Sequence, residues 1–132
     1  MVAEVVILGG GVGGTIVANL VAKQTQGRAH VTLVDATGIH VYQPGFLYVA
    51  IGLEQPAALQ RPESQLLRHD VSLAVDRAMR VDPAAHTVSL ESGRKLRYDK
   101  LLLATGSRTM TVVPCPTWLL MSSVPPCRSM SP

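Results

Sequence analysis

An α/β domain built on a parallel sheet is what the chain predicts, and three observations carry that expectation. An apolar, β-branched run, Glu4-Val5-Val6-Ile7-Leu8, leads straight into Gly9-Gly10-Gly11-Val12-Gly13-Gly14. A helical stretch follows the glycines. A second apolar run, His30-Val31-Thr32-Leu33-Val34, then ends at an acid, Asp35. Strand, glycine turn, helix, strand and acid in that order form the βαβ unit that holds a dinucleotide.

Each glycine answers a physical demand. Gly9 permits the tight turn from strand to helix, and Gly11 removes a Cβ so that backbone can approach a diphosphate. Gly14 lets the helix pack closely on the strand, and Gly13 completes the set beside it. Free N–H groups at the helix start, with the helix dipole, favour an anion there. Asp35 stands about 20 residues past Gly14, the distance expected for a carboxylate that reaches a ribose hydroxyl.

The remaining elements follow from periodicity and turn residues. The first helix is expected over 13–24, with Ile16, Val17, Leu20 and Val21 as its apolar stripe and Gln26-Gly27 as its stop. A second, short helix is expected over 60–69, with Pro62 in its first turn. Val71 to Val75 reads as a third parallel strand. Between 78 and 98, turns at Pro83-Ala84-Ala85 and Ser92-Gly93-Arg94 separate short strands into a small antiparallel meander. Leu101 to Ala104 is a buried strand ending at Thr105-Gly106. Right-handed crossover places the second strand beside the first and any ligand at the carboxyl edge of the sheet.

Composition excludes several classes. The 132 residues suit one domain, and 47% hydrophobic against 16% charged residues suffices for a packed core. The net charge of +3 is small and its twelve Lys and Arg are scattered, which with one Phe, one Trp and three Tyr argues against nucleic acid. No apolar run reaches the ~18 residues of a membrane span, and Met1 leads directly into the first strand, so a cytoplasmic location is expected. Tyr42, Tyr48 and Tyr98 are followed four places on by Phe46, Gly52 and Leu102, which excludes the Tyr-x-x-x-Lys pair of short-chain dehydrogenases.

Composition changes sharply after Arg108. Residues 109–132 contain Pro114, Pro116, Pro125, Pro126 and Pro132 with both cysteines, and no glycine or acid. This segment is expected to be irregular and to form no part of the 1–108 domain; an interrupted reading frame is the simplest source of such a tail. Trp118 to Met121 is its one apolar stretch with a chance of docking. Cys115 and Cys127, twelve apart without a nearby His, make a poor metal site.

Three segments together resemble the N-terminal flavin-binding part of the sulfide:quinone oxidoreductases, with the type II NADH dehydrogenases as relatives. Val5 to Gly14 resembles the diphosphate turn. His40-Val41-Tyr42-Gln43-Pro44-Gly45-Phe46-Leu47-Tyr48 resembles the segment that passes the isoalloxazine. Tyr98 to Arg108, with Leu101-Leu102-Leu103-Ala104-Thr105-Gly106 at its centre, resembles the second flavin motif, which crosses back over the dinucleotide.

The resemblance implies a Rossmann-like FAD-binding domain, here incomplete, and FAD as cofactor. Gly9, Gly11, Gly13 and Gly14 would bind the diphosphate and Asp35 the ribose, while the backbone near Ala78 would face the adenine. Gln43 and Pro44 would lie by the isoalloxazine, and Ala104, Thr105 and Gly106 would close over the dinucleotide. Electron transfer from sulfide or NAD(P)H to quinone, and a peripheral place at the inner face of a membrane, belong to the full-length family. No catalytic side chain is assigned, because the family's redox cysteines and second nucleotide-binding domain have no counterpart here. A nucleotide-binding fragment without turnover is the alternative.

Overall fold

The computed structural model describes residues 2–106, with the backbone of 110–111 and 121–122. Expectations for Arg108, for Cys115, Cys127 and Trp118, and for most of the tail lie outside the described residues. Within the tail, Met110–Thr111 pairs antiparallel with Met121–Ser122.

The chain forms β1 (Ala3–Leu8), α1 (Val12–Thr25), β2 (Ala29–Asp35) and the short β3 (Ile39–Val41). A 3-10 turn at Gln43–Gly45 runs into α2 (Phe46–Ala50), and a second one at Pro56–Leu59 leads to β4 (Gln60–Pro62). After β5 (Val71–Val75) come β6 (Ala78–Asp82), β7 (Thr87–Leu90) and β8 (Lys95–Arg97), then β9 (Lys100–Leu103).

Four strands make the parallel sheet in the order β5-β2-β1-β9. Val5 to Leu8 lies between Val31 to Val34 on one side and Lys100 to Leu103 on the other. The chain first builds outward from β1 to β5, then returns to the other side of β1 with β9. The strand order therefore reverses beside β1, and its carboxyl end, with that of β9, bounds the crevice where such sheets bind ligands.

Alternation with period two divides the core between the two faces of this sheet. Ile7, Val31 and Leu33 face α1 and pack with Ala18 and Ala22. Val6, Leu8, Val34 and Ala74 face the antiparallel meander β6-β7-β8, where Val88, Leu90 and Tyr98 cover them. The meander is the expected one, and the strands agree with the predicted spans to within two residues.

Two expectations are corrected. The stretch 60–69 is not a helix: Gln60–Pro62 is an edge strand paired with β3, and Glu63–Gln65 is a single 3-10 turn. Pro62 disfavours helical backbone at Arg61 before it, and a proline without N–H is tolerated on an edge. The stripe on α1 is also shifted. Gly14, Thr15, Ala18 and Ala22 are its buried residues. Val17 and Val21 pack only partly against the core, and Ile16 and Leu20 are 52% and 48% exposed. Small residues win the buried face because they let the helix axis approach the sheet. β3 and β4 were not foreseen; three-residue strands carry too little pattern to stand out.

Leu33 is fully buried between α1 and the central strands. Leu33→Ala should lower unfolding stability by about 2–5 kcal/mol, measured as a lower urea midpoint at unchanged m-value.

Candidate dinucleotide-binding site

The turn after β1 is wedged against the end of β9. Gly9 has φ +106, a backbone region closed to most side chains, and its N–H donates to the Val34 carbonyl at 2.8 Å. A Cβ on Gly9 would strike the Ala104 carbonyl, and a Cβ on Gly14 would strike the Gly9 carbonyl. Ala104 N–H in turn donates to the Leu8 carbonyl at 2.8 Å. These approaches lock the start of α1 against the sheet where its strand order reverses.

Gly10, an arbitrary position in the fingerprint, is equally constrained here. Its N–H donates to Asp35 Oδ2 at 2.9 Å, and a Cβ would come within 3.0 Å of the Asp35 side chain. Its carbonyl accepts from His40 Nδ1 at 3.0 Å, and the Thr15 hydroxyl lies 3.3 Å from it. The run of three consecutive glycines was the only sequence signal for this.

On the other side the turn is open. A Cβ on Gly11 or Gly13 would meet nothing within 4 Å. Gly11 is the N-cap of α1, no side chain caps the helix, and its first turn carries no acid. Thr15 N–H is already bonded to the Gly11 carbonyl, so among the described residues the N–H groups of Val12, Gly13 and Gly14 are the helix's unclaimed donors. An uncapped start with room for a ligand suits a diphosphate.

A cleft of about 630 Å³ opens at this point, bordered by Gly11, Gly13, Gln43, Ala104, Thr105 and Gly106 among others. Six of the residues singled out from sequence thus meet around one space. Pro44 adjoins it on the 3-10 turn with Gln43. Gly9 and Gly14 serve it from behind as packing contacts. Ala78 does not border the cleft; it begins β6, pairs with Leu90 and packs on the meander side of the core.

Asp35 has a task the sequence did not reveal. Oδ1 accepts from Thr37 N–H at 2.9 Å, Gly38 N–H at 2.8 Å and the Thr37 hydroxyl at 3.0 Å, while Oδ2 holds Gly10. Partial burial alone would raise its carboxyl, but the bonds from Thr37, Gly10 and Gly38 outweigh it and hold it below the ordinary 3.8. One Oδ2 lone pair remains for a further donor.

Behind the turn lies a second group of side chains missed in the sequence. Glu63 is fully buried. It accepts from the Thr15 hydroxyl and from His40 Nδ1, the latter at 3.1 Å. His40 belonged to the flavin-like segment; Glu63 lay in a stretch read as helix, and nothing local pointed to it.

A second cleft of about 520 Å³ lies on the meander face of the sheet, toward the amino ends of its strands. There Glu4 bonds His30 Nδ1 and His30 Nε2 bonds Ser72 Oγ, each at 3.0 Å. Both His30 and Glu4 are nearly half exposed. Glu4 and His30 are cross-strand partners in the register, and the group reads as a polar ladder at the exposed amino end of that face.

The fold and the open glycine turn define a dinucleotide-binding α/β protein. The chain belongs to the pyridine nucleotide-disulphide oxidoreductase family, whose model matches residues 3–122. The sulfide-quinone reductase of Aquifex aeolicus (strain VF5) is 33% identical over 110 residues, covering 82% of this chain and 25% of that protein. The X-ray structure of the sulfide:quinone oxidoreductase from Aquifex aeolicus matches with a TM-score of 0.72 and 27% identity, over 83% of this chain and 25% of that one. NDH2 from Plasmodium falciparum, solved with NADH, shares the fold, with a TM-score of 0.68 at 20% identity over 83% of this chain and 23% of its own. The chain spans a quarter of the length of the sulfide-quinone reductase it matches.

The Asp35 bonds make a pH prediction. A carboxyl with a lowered folded value adds stability that is full above 3.8 and is lost as pH falls toward the folded value. Asp35→Asn, which cannot titrate, should show a shallower loss of melting temperature than the wild type between about pH 4 and pH 2.

Proposed function

We propose that this chain is the flavin-binding N-terminal portion of an FAD-dependent oxidoreductase of the sulfide:quinone oxidoreductase kind. One observation carries the reading: an uncapped helix start with Cβ-free space at Gly11 and Gly13 faces Thr105 and Gly106 across one cleft. The flavin would supply the electron chemistry, and the protein supplies binding and orientation.

In this reading the backbone donors from Gly11 to Gly14 hold the diphosphate, and the remaining Oδ2 lone pair of Asp35 takes a ribose hydroxyl. Gln43 and Pro44 sit beside the isoalloxazine, Ala104, Thr105 and Gly106 flank the dinucleotide, and the backbone near Ala78 faces the adenine. Electron transfer from sulfide or NAD(P)H to quinone is the activity proposed for the whole-length protein. A peripheral place at the inner face of a membrane accompanies it; among the described residues no helix is long and apolar enough to cross one.

A binding unit without turnover of its own is the second reading. The described residues around the cleft are glycine, aliphatic, Gln and Thr side chains, none of which titrates or accepts electrons.

The test is flavin uptake. Chain purified from FAD-containing medium should be yellow and hold FAD through gel filtration. Gly11→Val should weaken uptake at least about tenfold, or ~1.4 kcal/mol, while its melting temperature stays close to wild type. The fold is spared because Gly11 has φ −75 and open space around it. Colourless wild-type protein that takes up no FAD would refute the proposal. Bound flavin that neither sulfide nor NAD(P)H reduces would favour the second reading.

A further inference from the structure

Among the described residues, Glu63 is the one charged side chain in the buried set, at 0% exposure. A buried carboxylate is costly unless its oxygens are hydrogen-bonded, and both are. Its two side-chain partners are not ordinary core groups. His40 Nδ1 also bonds the carbonyl of Gly10, and the Thr15 hydroxyl, whose one proton goes to Glu63, lies 3.3 Å from it.

We propose that Glu63 is the positioning residue of the diphosphate turn, acting through His40 to set the plane of the Gly10–Gly11 peptide. In a trans peptide the C=O and N–H point in opposite directions. Holding the Gly10 carbonyl on the buried side therefore turns the Gly11 N–H toward the open side. Two acceptor oxygens, from Gly10 and Glu63, face His40 Nδ1, so that nitrogen carries the proton and donates to both.

Glu63 is itself fixed within a closed ring of hydrogen bonds. Its N–H donates to the Gly38 carbonyl at 2.8 Å, and Gly38 N–H donates to Asp35. Asp35 takes the N–H of Gly10, and His40 closes the ring between Glu63 and the Gly10 carbonyl. The ring joins the β3–β4 ribbon to the turn, so displacement of the ribbon moves the donors of the cleft. Without Glu63, the Thr15 hydroxyl would settle on the Gly11 carbonyl, already 2.9 Å away, and His40 would lose the partner that orients its ring.

The binding arm of the test rests on the flavin reading; the exchange arm does not. Glu63→Leu fills the site with an apolar side chain and removes the acceptor, whereas Glu63→Gln keeps an acceptor for His40 and a donor for Thr15. FAD affinity should fall at least about tenfold in Glu63→Leu and stay within about threefold in Glu63→Gln. Val88→Ala, in the core under the meander, serves as the destabilised control and should leave affinity unchanged. In the FAD-free proteins, amide exchange at Gly10 should quicken in Glu63→Leu, while exchange at Leu33 matches wild type once both are corrected for global stability.

Unchanged Gly10 exchange in Glu63→Leu, or equal affinity losses in Glu63→Leu and Val88→Ala, would overturn the proposal. If the wild type takes up no FAD, the flavin reading fails and Gly10 exchange decides alone. Should Glu63→Leu not fold, imidazole nitrogen spectra of the wild type decide: Nδ1 protonated on His40 supports the ring of bonds, and the opposite tautomer overturns it.

Discussion

The site depends on how closely three stretches of backbone approach one another at the end of β1. Gly9 lies against the carbonyl of Ala104, and Gly14 lies against the carbonyl of Gly9. Any side chain at either glycine would push α1 off the sheet or β9 away from β1. Because the strand order reverses at this junction, the contact also fixes where the crevice opens. The helix start is held by packing on one side and faces free space on the other, so its N–H groups are aimed before any ligand arrives.

Preorganisation of that kind needs the turn to be rigid, and side chains from three separate segments make it so. Asp35 from β2 takes the Gly10 N–H, His40 from β3 donates to its carbonyl, and Thr15 ties the first turn of α1 to Glu63. The apolar core does the coarser work, with α1 on one face of the sheet and the meander on the other. On the meander face, burial is complete toward the carboxyl ends, at Val6, Leu8 and Val34. The polar ladder of Glu4, His30 and Ser72 occupies the more exposed amino end of that face, so the residues β1 places there run from Glu4 to the buried Val6 and Leu8.

Much of this was legible in the sequence because it is written locally. The runs at Val5 to Leu8, Val31 to Val34 and Val71 to Val75 are β-branched and bounded by turns, so each announced a strand. Gly9 to Gly14 announced the turn between strand and helix. What escaped depends on partners distant in the chain. The buried face of α1 was misassigned because close approach to the sheet favours Gly14, Ala18 and Ala22 over the larger Ile16 and Leu20. Glu63 was invisible because its role comes from His40 and Thr15, and Pro62 before it ends a strand that was read as helix. The second role of Asp35 was hidden in the same way, since carboxylate spacing cannot distinguish a ribose acceptor from the anchor of a glycine turn.

A dinucleotide is proposed to lie across the carboxyl ends of β1 and β9, over the open side of the glycine turn. Backbone amide spectra of the isotopically labelled chain, recorded during titration with FAD, test it most directly. The amides of Gly11, Gly13 and Gly106 should shift together and saturate at one ligand per chain, while those of Lys95 and Arg97 beside the second cleft stay in place. Shifts confined to the second cleft, or none at the glycine turn, would contradict it.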